Sequence, residues 1–229
     1  MIECKDLSKH YGNIKALEDV NLKIEKGKII GLLGANGSGK TTLIKLINGL
    51  LKPTKGSVLI NGKAPDVESK KIISYLSESN ALDLDMKVKE IVQYFADFYE
   101  DFEMEKARKL LKDLEIMEDM KLKNLSKGTK EKVQLILMIS RQAEYYVLDE
   151  PIGGVDPAAR DHIIETILNN FNKDAAVLIS THLISDIERI LDEVVFIHKG
   201  KIYLQEEADI LRSKKGKSID EIFREEFKC

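Results

Sequence analysis

Short apolar, β-branched runs alternate with amphipathic stretches through much of the chain. They predict strands at residues 20–24, 29–33, 58–60, 146–148, 177–180, 194–198 and 201–204. The runs that end at Leu33, Leu148 and Ser180 are apolar enough to be buried on both faces, as central parallel strands are. Strands that alternate with helices predict a layered α/β fold.

The middle of the chain has a helical periodicity instead. Between residues 87 and 141, apolar residues recur at spacings of three and four, as at Val88, Ile91, Val92 and Phe95. We therefore predict one domain over 1–229, with 1–79 and 131–229 as the α/β core and 80–130 as a helical subdomain. Glycine-containing turns at 26–28 and 199–201 predict two hairpins.

The composition narrows the functional class. Of the 229 residues, 43% are hydrophobic and 33% charged, which excludes general disorder. No apolar run approaches the roughly 18 residues of a membrane helix, and no secretory signal is visible. A net charge of −3 argues against nucleic acid as a partner. We expect Cys4 and Cys229 to be free thiols of a reducing compartment.

A glycine-rich loop follows the apolar run at 29–33. It reads Gly34-Ala-Asn36-Gly37-Ser38-Gly39-Lys40-Thr41-Thr42 and matches G-x-x-x-x-G-K-[ST]. Glycines let successive backbone N–H groups turn toward an anion, and the following helix directs its positive dipole end at phosphate. We expect Lys40 to reach the β- and γ-phosphates and Thr41 to ligate Mg²⁺. The loop therefore predicts a nucleotide site.

Two carboxylates follow the apolar run at 146–148. Asp149 and Glu150 are predicted at the carboxyl edge of the sheet, where open α/β folds bind ligands. Taken alone, the pair fits a solvated acidic turn better than a catalytic site. Beside a phosphate loop, Asp149 is predicted to hold Mg²⁺ and Glu150 to act as general base.

The segment Asn124-Leu-Ser126-Lys-Gly128-Thr lies between the glycine-rich loop and the acidic pair, with Gly128 21 residues ahead of Asp149. Together with these two motifs, it makes the chain resemble the ATP-binding subunits of ABC transporters, which have a Leu-Ser-Gly-Gly-Gln signature at this place. Asp156 resembles the D-loop aspartate, His182 the switch histidine, and Tyr11 the aromatic that stacks on adenine. Taken alone, His182 and Tyr11 fit simple packing roles.

The resemblance implies a P-loop NTPase core with a mainly parallel sheet, an N-terminal antiparallel β portion and an inserted helical subdomain. It also implies an ATPase in which two subunits meet head to tail around two Mg-ATP. Each ATP would contact the P-loop of one subunit and Ser126 and Gly128, or their equivalents, of the other, which is a second copy or a related subunit. His182 would contact the γ-phosphate. Separate permease subunits would dock near 80–130 and hold the protein at the cytoplasmic face of the membrane.

The sequence departs from the family pattern at three positions. Lys127 and Thr129 replace the usual glycine and glutamine of the signature, and Glu78 stands where the family has glutamine. We expect Glu78 to ligate or sense Mg²⁺ through an oxygen, and a solvated loop glutamate is the alternative. The Ser-Lys-Gly variant resembles bacterial export-type systems for peptides, drugs or lipids.

Two other functions stay open at this point. A soluble ABC-type ATPase that acts on ribosomes or DNA would share these motifs, although two ATPase domains in one chain, long coiled coils or a basic arm are not visible. A P-loop kinase or GTPase would share the phosphate loop, but a guanine-reading Asn-Lys-x-Asp is missing.

Overall fold

The computed structural model describes residues 1–77, 82–153 and 157–227. Its strands are β1 (Ile2–Tyr11), β2 (Ile14–Ile24), β3 (Ile29–Leu33), β4 (Lys55–Ile60), β5 (Ile73–Leu76), β6 (Tyr145–Asp149), β7 (Ala176–Thr181), β8 (Glu193–His198) and β9 (Lys201–Glu207). Its α-helices are α1 (Lys40–Ile47), α2 (Val67–Ile72), α3 (Val88–Phe98), α4 (Met104–Asp113), α5 (Lys127–Ile139), α6 (Pro157–Asn170), α7 (Ile184–Ile187), α8 (Ala208–Lys215) and α9 (Ile219–Phe227). Short 3₁₀ turns lie at Leu122–Asn124 and Glu188–Ile190.

The strands form two sheets. A six-stranded sheet has the order β5-β6-β7-β3-β8-β9 and is parallel except for the edge pair β8–β9, and an antiparallel sheet has the order β2-β1-β4. Every residue of β3, β6 and β7 is buried, whereas β9 alternates between exposed and half-buried residues. The predicted mainly parallel α/β fold with an N-terminal antiparallel portion is therefore confirmed.

Alternate residues of the central strands feed two apolar layers, because successive side chains of a strand point to opposite faces. On one face, Ile30 and Leu32 of β3 pack with the apolar residues of α1 and the antiparallel sheet. On the other face, Ile29 and Leu33 pack with apolar residues of α3, α5, α6 and α9. The six-stranded sheet is thus the middle layer, and it holds the ends of its strands in fixed register.

One predicted hairpin is confirmed and one is wrong. Lys199 and Gly200 have φ of 46° and 78° and join β8 to β9 in an antiparallel pair. The turn at 26–28 also contains a positive φ, 76° at Gly27, but it joins β2 to β3, which lie in different sheets. The fully buried β3 pairs with two other buried strands, β7 and β8, so it does not pair with β2.

The helical stretch is connected to the sheet through Arg141. Its guanidinium is 2% exposed, donates from Nε and Nη2 to both oxygens of Asp101 at 3.0 and 3.1 Å, and lies 3.9 Å above the ring of Tyr99. It also donates to the carbonyls of Lys71 and Ile73 beside β5. The predicted subdomain boundary at residue 130 falls within α5, and the division into core and subdomain stays a prediction.

Within the described residues, no helix is both long and apolar enough to cross a bilayer.

Candidate active site

The glycine-rich loop turns between the buried end of β3 and the start of α1. Gly37 and Gly39 have positive φ, 79° and 111°, which side chains rarely adopt. Gly34 is required for space instead, because a Cβ there would lie 2.5 Å from the carbonyl oxygen of Ile197 and 2.6 Å from Ser38 Oγ. The loop can therefore adopt this tight turn only with glycine at these three positions.

Neighbouring strands support this loop from both sides. The N–H of Gly34 donates to the carbonyl of Thr181 at 3.4 Å, and the N–H of Gly200 donates to the carbonyl of Ser38 at 2.9 Å. The Ser38 hydroxyl is buried and has no hydrogen-bond partner among the described residues, which leaves it free for a ligand oxygen. Asn36 lies exposed in the loop, and Thr42 lies half-buried in the first turn of α1.

Lys40 lies at the centre of the site. Its side chain is 5% exposed, and Nζ donates to the carbonyls of Gly34 at 2.7 Å and Ala35 at 3.3 Å. The same ammonium lies 3.2 Å from Glu150 Oε1. A buried cation held by the loop backbone is suited to bind phosphate oxygens as a point charge.

Asp149 brings a buried carboxylate to the end of β6. Its Oδ1 accepts hydrogen bonds from Ser180 Oγ at 2.6 Å and Thr41 Oγ1 at 3.4 Å, while Oδ2 is buried and has no partner among the described residues. Burial raises the pKa of Asp149, and the hydrogen bonds from Ser180 and Thr41 act in the opposite direction. A free carboxylate oxygen beside a threonine hydroxyl is an all-oxygen donor set of the kind that Mg²⁺ prefers.

Glu150 lies between two basic groups. Its Oε1 faces Lys40, and its Oε2 lies 3.0 Å from His182 Nδ1. The backbone of Glu150 has a φ of 51°, a conformation that a non-glycine residue keeps only when its surroundings hold it there. A carboxylate held in this way can accept a proton from water, and the histidine beside it can orient that carboxylate.

Ser180 is a residue of this site that the sequence analysis missed. It is fully buried in β7, directly opposite Asp149 of β6 in the parallel register. Besides its hydrogen bond to Asp149, Ser180 Oγ accepts the backbone N–H of Glu150 at 3.2 Å. The available signal was the polar residue that ends the apolar run predicted at 177–180.

The signature-like segment forms the start of α5. Ser126 caps the helix by accepting the N–H of Thr129 at 3.1 Å, and its hydroxyl lies 2.8 Å from Thr129 Oγ1. Ser126 and Lys127 are exposed, and a Cβ on Gly128 would meet nothing within 4 Å. Within the described residues, neither Ser126 nor Gly128 has a hydrogen bond to the loop at 34–42. The exposed face of this helix start is therefore available for contact with another protein.

Tyr11 ends β1 and is 46% exposed, and Lys9 Nζ lies 5.3 Å from the centroid of its ring. Strand β2, which forms an antiparallel hairpin with β1, passes close to the glycine-rich loop, because a Cβ on Gly39 would lie 2.8 Å from the carbonyl oxygen of Ala16 in β2. Glu78 and Asp156 lie outside the described residues. Among the residues described, no cluster of three or more His, Cys, Asp or Glu is placed to hold a metal ion.

Comparison with known proteins gives a consistent result. The family model for ABC transporters matches residues 17–153. The ABC transporter ATP-binding protein YtrB of Bacillus subtilis is 34% identical over 88% of this chain and 70% of its own length. EcsA of the same organism is 30% identical over 98% of this chain and 96% of its own. The lantibiotic transport ATP-binding protein SrtF of Streptococcus pyogenes is 28% identical over 91% and 92%.

Solved structures that superpose on this chain are also ABC transporter subunits. An ATP-binding subunit of an ABC transporter superposes with a TM-score of 0.86 at 31% identity over 98% of both chains. A bacterial ABC transporter cassette solved as a dimer superposes with a TM-score of 0.79 at 26% identity, over 91% of this chain and 99% of its own.

Proposed function

Since the chain belongs to the ABC transporter ATP-binding proteins and is an ATPase of that family, we propose that it drives separate membrane subunits by ATP-dependent dimerisation. The observation that carries this proposal is the convergence of Lys40, Asp149, Glu150 and His182 around the glycine-rich loop. A phosphate-binding cation, a metal-binding carboxylate and a base thus meet at one edge of the sheet.

We propose that ATP is held by Ser38, Lys40, Thr41 and the N–H groups of the loop, with adenine stacked on Tyr11. Thr41 and Asp149 would hold Mg²⁺, which neutralises charge on the phosphates when bound. Glu150 accepts a proton from the attacking water, and His182 fixes Glu150 Oε2 and contacts the γ-phosphate. The two residues outside the described range keep their proposed roles, Glu78 toward the metal and Asp156 of the D-loop toward the bound nucleotide.

The site needs a second copy for its remaining phosphate contacts. Ser126 and the N–H of Gly128 lie at an exposed helix start, where a hydroxyl and backbone donors favour an anion. Because neither has a hydrogen bond to the P-loop of its own chain in the part of the structure that is described, we propose that they bind the γ-phosphate held by a facing subunit. The dimeric cassette that this chain resembles supports that arrangement.

The membrane subunits are proposed to dock on the helical stretch near 80–130, which would hold the chain at the cytoplasmic face of the membrane. Tyr94 and Phe98 of α3 are 56% and 66% exposed there, and their rings stack at 6.1 Å. Exposed aromatics of this kind are enriched at protein interfaces. The proposed direction is export, with a peptide, drug or lipid as cargo; one relative of the chain is a lantibiotic transport ATP-binding protein.

The test is the variant Glu150→Gln. It keeps the shape of the side chain but cannot act as base, so it should lower the rate of phosphate release by at least about 100-fold. Mg-ATP should then convert it into a stable dimer, detected by light scattering during size-exclusion chromatography. Lys40→Ala should fail to bind ATP, and Glu68→Gln, which removes an exposed carboxylate of α2, should behave as wild type.

The proposed dimer is falsified if Glu150→Gln binds Mg-ATP and stays monomeric at high protein concentration, both alone and with its membrane subunits present. Export is tested separately, by the direction of cargo movement in vesicles that contain the complete transporter.

A further inference from the structure

One fully buried hydroxyl contacts both acidic residues of the site, at the carboxylate of Asp149 and at the backbone N–H of Glu150. Ser180 is 0% exposed and lies in the central strand β7, beside Asp149 at the end of β6. A serine hydroxyl has one hydrogen to donate and can accept others. Both capacities are used here, and both are directed at the acidic pair.

The Ser180 hydroxyl donates its hydrogen bond to one oxygen of Asp149. The contact with Oδ1 is 2.6 Å long, and Thr41 donates to the same oxygen at 3.4 Å. Both side-chain donors thus engage Oδ1, while Oδ2 stays buried without a partner among the described residues. A buried carboxylate oxygen without a partner is unfavourable unless a cation is bound to it. By occupying Oδ1, the Ser180 hydroxyl leaves Oδ2 as the Asp149 oxygen that can bind a metal.

The oxygen of Ser180 also fixes the backbone that follows. It accepts the N–H of Glu150 at 3.2 Å, and the carbonyl of Ser180 accepts the same N–H at 3.1 Å. These bonds hold the residue whose φ is 51°. An unfavourable backbone conformation persists only where neighbours impose it.

We propose that Ser180 is a positioning residue that sets the metal affinity of Asp149 and the placement of Glu150. This inference rests on the proposed Mg-nucleotide site. In this role Ser180 acts through the Asp149 carboxylate and the Glu150 backbone, and not by binding the nucleotide or the metal itself.

The test measures metal binding without turnover. Mn²⁺ replaces Mg²⁺, ADP is the nucleotide, and free Mn²⁺ is followed by electron paramagnetic resonance. Outer-sphere partners of metal ligands typically contribute 10- to 100-fold in affinity, so Ser180→Ala should weaken ADP-dependent Mn²⁺ binding by about 10-fold or more. ADP affinity measured in EDTA should stay within about twofold, because the loop and Lys40 are untouched.

A matched control lies one strand beyond β6. Ser74 in β5 is also fully buried, and its hydroxyl donates to the carbonyl of Met138 at 2.8 Å. Ser74→Ala thus removes one buried hydrogen bond away from the carboxylates and should leave Mn²⁺ affinity unchanged. Ser180→Cys, which is close in size but a weak donor, should fall between wild type and Ser180→Ala.

The inference is overturned if folded Ser180→Ala binds Mn²⁺ as wild type does, or if Ser74→Ala loses as much affinity. If Ser180→Ala fails to fold, Ser180→Cys with wild-type affinity overturns it. The failure of the proposed function looks different, because wild type itself would then show no ADP-dependent Mn²⁺ site.

Discussion

Replacing Arg141 by methionine should destabilise the protein strongly. The guanidinium is 2% exposed and has a bidentate pair with Asp101, whose side chain is 26% exposed. Removing one partner of a buried ion pair costs 3–5 kcal/mol, because the other charge stays behind. Water reaches Asp101 in part, so we expect the lower end of that range, about 3 kcal/mol.

The loss is measurable by urea unfolding and by heat. For a chain of this size, about 3 kcal/mol corresponds to a drop of roughly 6–12 °C in the midpoint of thermal unfolding. Since Arg141 connects the stretch around Asp101 to the carbonyls beside β5, amide hydrogen exchange should accelerate most between α3 and α5.

The matched control is a surface pair of the same chemistry. Arg189 and Asp161 lie 2.7 Å apart with side chains 59% and 70% exposed. Exposed pairs contribute about 0.2–1 kcal/mol, so Arg189→Met should change the unfolding free energy by less than 1 kcal/mol. The reasoning is refuted if Arg141→Met costs no more than Arg189→Met does.

Two further predictions concern the P-loop and alkaline pH. Gly34→Ala should lower kcat/KM for ATP by about 100-fold. The new Cβ would lie 2.5 Å from the carbonyl oxygen of Ile197, so the loop would have to move. A rate of phosphate release within threefold of wild type would contradict this prediction. Burial raises the pKa of Cys4 from 9.0 and of Tyr145 from 10.0, in each case to about 12. Because these pKa values are raised in the folded state, the contribution of the two groups to the free energy of unfolding is constant below pH 9 and should fall from pH 9 to 12. Urea unfolding at several pH values across that range measures this fall. A free energy of unfolding that does not change between pH 9 and 12 would contradict the prediction, and Cys4→Ala should lose less stability over that range than wild type does.

Much of the site could be predicted because its phosphate-binding part is contiguous. The loop from Gly34 to Thr42 carries its glycines, lysine and hydroxyls within nine residues, so spacing alone predicts their meeting. Asp149 and Glu150 were predictable for a related reason: an apolar strand of the parallel sheet delivers its last residues to the ligand edge. The central position of β3, β6 and β7 followed from their unbroken apolar runs.

The sequence by itself determined the strands of the central sheet from β3 to β9 except β5, the helical middle of the chain and the residues that carry phosphate chemistry, since those depend on local periodicity and spacing; it did not predict β1. Only the tertiary structure decided which strand lies beside which. The apolar runs that predict β2, β3 and β7 do not say that β2 and β3 separate into two sheets, or that Ser180 comes to lie opposite Asp149. Arg141 met Asp101 by the same means, 40 residues apart. Pairing of this kind depends on packing between distant parts of the chain, which no window of neighbouring residues contains.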